Sequence, residues 1–231
     1  HAALHPGPDR GLMPTILITG AARGLGLELA RQYAQDGWRV IGTVRSGAQE
    51  RDFEAVSLDV ADRGQVKQLG AKLKGTAIDL LFCNAGIIGK RDMALGSFDY
   101  AEWEHVLRVN LLGAAAVIEA LIDNVAASEG RTVAVMSSRL GSIAETSGMT
   151  LPYATSKAAL NLLAKGLAET LRPRRITVVA LSPGWVRTDM GGEGAPLTPE
   201  ASVRGLRRVL AGLRSEDSGK FLSHEGGEIP W

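Results

Sequence analysis

Apolar residues fall along this chain in two rhythms. Short apolar runs stand at Thr15-Ile16-Leu17-Ile18-Thr19, Trp38 to Val44, Glu54 to Val60, Ile78 to Phe82, Arg131 to Met136 and Ile176 to Leu181. Runs of this length, rich in Val, Ile and Leu and closed by glycine or polar residues, predict strands buried on both faces, as in a parallel sheet. Between them apolar residues recur at helical spacing: Leu27, Leu29, Ala30, Tyr33 and Ala34 up to Gly37, then Val66, Leu69 and Leu73 within Asp62 to Lys74. Longer helical stretches run from Phe98 to Asn124 and from Tyr153 to about Leu171. Thr198-Pro199-Glu200 opens a last helix to about Leu213, Pro suiting its first turn, and Lys220-Phe221-Leu222 predicts a seventh strand. Only about ten residues join the second and third strands, so a helix there is short or missing. Strand and helix alternate throughout, which predicts a parallel sheet with helices on both faces, in one domain over residues 13–231.

In such a fold, ligands bind beyond the carboxyl ends of the strands. Gly20-Ala21-Ala22-Arg23-Gly24-Leu25-Gly26 joins the first strand to the first helix. Glycines there allow a tight reversal, close approach of backbone to a diphosphate and close helix–strand packing, while the helix offers free N–H groups to the anion. A glycine trio alone is a weak signal, but here the strand and the helix required by a dinucleotide site flank it. The fold is therefore read as α/β, a Rossmann-type doubly wound parallel sheet of about seven strands in three layers, α/β/α. Such a domain places an acidic ribose reader about 20 residues beyond the glycines. No Asp or Glu lies between Val40 and Arg45. Arg45 closes that strand instead, and Arg23 sits in the turn. Unless both are ordinary solvated residues, two guanidiniums suit a 2′-phosphate and favour NADP(H) over NAD.

Cys83-Asn84-Ala85-Gly86 ends the fourth strand, Ser137-Ser138 the fifth, and Ser182-Pro183-Gly184-Trp185-Val186-Arg187-Thr188-Asp189-Met190 follows the sixth. Gly20, Asn84, Ser138 and Pro183 thus share one edge. Cys83 reads as a small buried residue rather than a nucleophile, since no His or Arg stands near it in sequence. Asn110, mid-helix between Val109 and Leu111, is a poor helix former in an apolar setting; it either caps a kink or has a job. Gly191, Gly192 and Gly194 predict a mobile segment of the kind a substrate lid uses. Tyr153 and Lys157 stand four apart, on one face of their helix. An ammonium beside a phenol pulls its pKa down from about 10, making a tyrosine that gives or takes a proton at working pH. Taken alone, the pair is also what a solvated helix face shows.

Composition narrows the partners. Of 231 residues 45% are hydrophobic, and Lys+Arg 26 against Asp+Glu 25 leaves a net charge of +1, so no field draws nucleic acid or an acidic membrane and a small-molecule partner is expected. Cys83 is the only cysteine, which excludes an intrachain disulfide, no Cys/His cluster has zinc spacing, and a reducing, cytoplasmic compartment is expected. His1 to Leu12 lacks an apolar h-region and reads as an appended leader or loose tail, with Met13 as the natural start. The longest apolar stretch, Leu111 to Ile122, falls short of the ~20 residues of a membrane span and carries Glu119. Two helices are apolar almost all round: Ala158, Ala159, Leu160, Leu162, Leu163, Ala164, Leu167, Ala168 and Leu171 in one, Leu111, Leu112 and Ala114 to Ile118 in the other. Outer-layer helices of this kind need covering on both sides, which predicts a homodimer or homotetramer.

These residues together resemble the short-chain dehydrogenase/reductase family over nearly all of Met13 to Trp231. The matching pieces are Thr19 to Gly26, Asn84-Ala85-Gly86, Asn110, Ser137-Ser138, Tyr153-Ala154-Thr155-Ser156-Lys157, and Pro183-Gly184 with Thr188. Ser138 to Ile143, Ser156 to Asn161, Pro183 to Val186 and the Pro230-Trp231 ending look like the C-factor/sniffer-type carbonyl reductases. The resemblance implies Tyr153 as proton donor to a carbonyl oxygen, Ser138 as its hydrogen-bonding partner, Lys157 on the nicotinamide ribose and Asn110 seating a water. It likewise implies Gly20, Arg23, Gly24, Leu25 and Gly26 at the pyrophosphate, Arg45 at the 2′-phosphate, Asp59 and Val60 at the adenine, and Asn84, Ala85 and Gly86 along the adenosine-side wall. Pro183, Gly184, Val186 and Thr188 fall to the nicotinamide. An NADPH-dependent carbonyl reductase, with a carbonyl or alcohol as small-molecule substrate, is the implied activity. A low-turnover NADP(H)-binding sensor and an NAD-linked alcohol dehydrogenase are the alternatives. Ser138 precedes Tyr153 by 15 residues, about two more than is common in the family, so Ser137 or Ser142 competes for the serine's role. The substrate pocket is expected between Ile88 to Met93, Gly141 to Leu151 and Trp185 to Leu197.

Overall fold

The computed structural model describes residues 13–45, 52–91 and 93–231. The leader expected at residues 1–12 lies outside them, as do most of the connection between the second and third strands and Asp92 of the expected pocket. Seven parallel strands, β1 (Thr15–Ile18), β2 (Arg39–Val44), β3 (Glu54–Ser57), β4 (Leu80–Cys83), β5 (Thr132–Met136), β6 (Thr177–Ser182) and β7 (Phe221–Ser223), lie in the order β3-β2-β1-β4-β5-β6-β7. The order reverses between β1 and β4, which opens a crevice at their carboxyl ends.

Alternation along each strand feeds two cores. Ile16, Ile18, Leu80, Phe82, Ala134, Met136, Val179 and Leu181 face one side, with Leu29, Ala30 and Tyr33 of α1 (Gly24–Gln35) and Val203, Leu206 and Leu210 of α6 (Pro199–Ala211). Leu17, Leu81, Val133, Val135, Val178 and Ala180 face the other. There they meet α2 (Arg63–Lys72), α4 (Ala114–Ala126) and α5 (Leu151–Leu171). Strands buried on both faces read as unbroken apolar runs for this reason.

Three boundaries differ from the expected ones. The third strand stops at Ser57 instead of reaching Val60, because local side chains capture its backbone: the Gln65 amide oxygen accepts from Asp59 N (2.8 Å) and the Asp59 carboxylate from Ala61 N (2.9 Å). α5 begins at Leu151 with Pro152 in its first turn, so Tyr153 sits inside that turn rather than opening it. The long central stretch is α3 (Tyr100–Leu107) running into α4 through a π-helical turn over Arg108–Gly113, centred on Asn110. Its 27 residues, longer than the apolar run alone, have the length and apolarity of a membrane span, but half of the most apolar window is buried within the fold.

Candidate functional site

The glycine turn is built by backbone constraints. Gly20 and Gly24 have φ of 71° and 55°, a region that L side chains avoid. Gly26 is there for space, since a Cβ would overlap the Gly20 carbonyl oxygen and the Asn84 amide. The Asn84 amide donates to the carbonyls of Thr19 (3.0 Å) and Gly20 (3.1 Å). The Thr19 hydroxyl accepts from Asn84 N and Ala85 N (both 3.0 Å), and the Thr43 hydroxyl from Gly20 N (3.2 Å). β1, β2 and β4 are thus locked together at their ends. No side chain caps α1, whose first turn carries no acidic residue. Its open N–H groups are the anion seat that this turn provides.

A cleft of about 630 Å³ runs along this edge. Gly20, Arg23, Gly24, Leu25 and Gly26 form its floor, Arg45, Asp59 and Val60 one end, Asn84, Ala85 and Gly86 a wall, and Tyr153, Lys157, Pro183 and Thr188 the other end. Gly184, Val186, Asn110 and Ser138 are not part of this lining. Gly184 (φ 81°) makes the turn after β6 against Leu197 and His224; buried Val186 bridges Leu197.

At the Tyr153 end the side chains interlock. Asn110 donates to the Ile87 carbonyl (2.8 Å) and the Ser156 hydroxyl (2.9 Å), and accepts from Ile87 N (2.8 Å). It therefore both sits in the π-helical turn and anchors the loop after β4. Lys157, 3% exposed, donates to the Met136 carbonyl (2.7 Å), with its ammonium 5.5 Å from the centre of the Tyr153 ring. Gly86 lies where a Cβ would meet both Asn110 Oδ1 (3.3 Å) and Lys157 Nζ (3.4 Å), and Gly141 packs on the backbone of Lys157. Among the three serines, Ser137 is spent on the Asn161 side chain (2.5 Å) and Ser142 on the Pro230 carbonyl (2.6 Å). Ser138, whose hydroxyl accepts from Leu140 N (3.3 Å), is the serine that acts on the Tyr153 phenol, drawing its pKa down.

The electrostatics depart from the sequence expectation. Burial pushes the Tyr153 phenol up to about 12, opposed by the Ser138 hydrogen bond and the positive charge of Arg91. Burial also pulls Lys157 down to about 8. Desolvation dominates at both groups and drives each towards neutrality, and the opposing charge at Tyr153 is that of Arg91 instead of the anticipated Lys157.

Arg23 forms an exposed ion pair with Asp189 across the cleft, so one of the two guanidiniums expected at a 2′-phosphate already has a carboxylate partner. Arg45 is exposed and forms no ion pair among the described residues. The segment of Gly191, Gly192 and Gly194, expected to be mobile, and the loop before it carry several hydrogen bonds. Trp185 donates to the Gly191 carbonyl (2.8 Å), Arg187 N to Leu197 O (2.9 Å) and Gly191 N to the Thr188 hydroxyl (3.1 Å). Gly191 is required by packing, because a Cβ there would overlap the Val186 carbonyl oxygen.

The short chain dehydrogenase family model matches residues 14–196. The chain belongs to this family. The C-signal of Myxococcus xanthus is 43% identical over 155 residues, which cover 67% of this chain and 93% of that protein. The carbonyl reductase Sniffer of D. melanogaster superposes with a TM-score of 0.89 at 30% identity, over 95% of this chain and 100% of that one. An NADPH-bound carbonyl reductase from chicken fatty liver gives 0.87 at 29% identity, over 95% and 99% of the two chains. With these relatives the chain falls in the C-factor/sniffer-type branch of the short-chain dehydrogenases.

Several residues at the site of this short-chain dehydrogenase escaped the sequence reading. His105 lines the cleft, whereas Arg187 and Met190, also in the lining, fall within the expected pocket segment Trp185 to Leu197. Asn161 binds both Ser137 and the Gly141 carbonyl (3.2 Å), fixing the start of the serine loop to α5. The loop's far side is tied to the final residues, Ala144 N donating to Trp231 O (3.0 Å). Asn161, mid-helix and apolar-flanked, carries the same signal that singled out Asn110.

Proposed function

We propose that this oxidoreductase is an NADPH-dependent carbonyl reductase acting on an aldehyde, ketone or quinone. The observation that carries the reading is a buried Tyr153 phenol, paired with the Ser138 hydroxyl, in the same cleft as the uncapped glycine turn. The cradle suits a dinucleotide: its glycines leave room for a diphosphate, and Arg45, with no ion pair among the described residues, stands at the end where a 2′-phosphate would be read. When bound, NADPH supplies hydride to the substrate carbonyl carbon. Tyr153 gives its proton to the carbonyl oxygen, and its raised pKa keeps that proton in place at neutral pH. Ser138 orients the same oxygen, Lys157 holds positive charge beside the phenol ring, and Asn110 fixes the wall opposite. The reading includes a cytoplasmic homodimer or homotetramer and no nucleic-acid or membrane partner.

The test is NADPH oxidation against a panel of aldehydes, ketones and quinones. Tyr153→Phe should lower kcat by about 10²–10⁴-fold while leaving NADPH binding within about twofold of wild type. Equal turnover by the variant sinks the assigned acid. Absence of turnover by wild type favours the second reading, a nucleotide-binding signalling protein, which the likeness to the C-signal supports. Arg45→Ala should weaken NADPH much more than NADH, by about tenfold or more for a charge-assisted phosphate contact. Equal affinity of wild type for the two cofactors removes the basis for NADP preference.

A further inference from the structure

Cations around the cleft differ in whether the fold already neutralises them. Arg23 is paired with Asp189, Arg139 with Glu145 (2.8 Å) and Lys90 with Asp99 (2.6 Å). Arg91 pairs with no carboxylate among the described residues; its Nη2 donates to the carbonyl of Met190, a residue of the cleft lining. The side chain therefore reaches from the loop after β4 to the loop after β6, on the Tyr153 side of the cleft. Its base is held on the N-terminal side. Asn110 fixes Ile87 through both backbone atoms, and the Asp99 carboxylate that takes Lys90 also caps α3 by accepting from Glu102 N (3.0 Å). Tyr153 senses the Arg91 charge, which favours the ionised phenol.

We infer that Arg91 is the anion-recognising residue of the substrate pocket, and that the preferred substrates are carbonyl compounds bearing a carboxylate. A guanidinium has five N–H donors, and the carbonyl of Met190 occupies one edge of this one; the free edge matches the two oxygens of a planar carboxylate. A carboxylate there compensates a positive charge that no carboxylate among the described residues pairs with, and the contact with the Met190 carbonyl places the cation beside the cleft. The inference rests on the carbonyl-reductase reading for the reaction, and on Arg91 alone for the preference.

The test compares matched acids and esters. Affinities of para-(hydroxymethyl)benzoate and its methyl ester for the NADP-loaded protein are measured by calorimetry in wild type, Arg91→Gln and Arg91→Lys. In parallel, NADPH-driven reduction of para-carboxybenzaldehyde and of the corresponding methyl ester is followed. Wild type should bind the acid about 10- to 100-fold more tightly than the ester, the range of a hydrogen-bonded charge pair. Arg91→Gln should erase that ratio without changing ester affinity, and Arg91→Lys should restore part of it. Equal affinity of wild type for acid and ester, or an unchanged ratio in Arg91→Gln, overturns the proposal. An Arg91-dependent binding preference without reduction of either aldehyde supports this site and sinks the reductase reading. Reduction of both aldehydes with an acid-to-ester ratio that Arg91→Gln leaves unchanged sinks the site alone.

Discussion

Lys157 is a buried ammonium with a single protein acceptor, the Met136 carbonyl, and burial lowers its pKa from 10.5 to about 8. The unfolded chain keeps that proton up to the ordinary value, so between about pH 8 and 10.5 the unfolded state binds more protons and stability rises with pH. Below about pH 8 the whole penalty is present, about 3 kcal/mol for a shift of this size. Tyr153 acts in the opposite sense: raised from 10.0 to about 12, it contributes stability that is intact below pH 10 and lost as pH rises towards 12. Denaturant midpoints of the cofactor-free wild type should therefore climb from pH 8 to 10. Lys157→Met should flatten that climb and raise the midpoint at pH 7, since the lost hydrogen bond offsets only about 1 kcal/mol. Parallel pH curves for the two proteins would show that the buried ammonium is not the source. The same balance explains what residue spacing conceals. Four-residue spacing places Lys157 and Tyr153 on one helix face, yet the sign of each pKa shift depends on burial, which only the assembled cleft determines.

The π-helical turn over Arg108–Gly113 is an element made for one side chain. Widening the helix by one residue there presents Asn110 to Ile87 and Ser156, and its three hydrogen bonds are the return on the distorted ladder. Asn110→Ala removes all three and leaves the partly buried backbone groups of Ile87 without this partner, which should cost about 2–4 kcal/mol. Thermal melting gives the total, and faster amide exchange at Ile87 relative to the β1 and β5 amides localises the loss. Unchanged exchange at Ile87 would mean that the loop after β4 is held by something else. Asn110 was recognisable in the sequence as a polar residue that needs a partner, but its partners lie 23 and 46 positions away. The glycine turn was legible because its flanking strand, helix and glycines are contiguous. Of the three glycines that suggested mobility, Gly191 serves close packing against Val186, a use that the sequence does not distinguish from freedom. β3 ended early for a related reason, as Asp59 and Gln65 side chains compete for its backbone.

At the scale of the whole molecule, the outer surface of the α4–α5 layer is the feature that the fold leaves open. Leu162 on α5 is 71% exposed and Leu112, entering α4, is 46% exposed. Ala115, Ala116, Ala158 and Ala159 are partly exposed, small side chains that allow helices to approach closely. Their inner neighbours, Val117, Ile118, Leu121, Leu160 and Ala164, fill the core, so the apolar character of both helices continues through to solvent. We expect a second copy to cover this face by two-fold symmetry, so that each exposed leucine counts twice. Burying one Leu side chain stabilises by about 1.5–3 kcal/mol, and Leu162→Arg both forfeits this and places a charge in the contact. Two symmetric losses of about 1.5 kcal/mol correspond to a dissociation constant raised by at least about 100-fold. Sedimentation velocity at micromolar concentration should show wild type as a dimer or tetramer and Leu162→Arg as monomer or smaller assembly, with the NADPH affinity unchanged because the cleft lies at the sheet edge. A wild-type monomer under these conditions would mean that the exposed leucines are solvated as they stand, and that the apolar pattern of α4 and α5 reflects only their packing on the sheet.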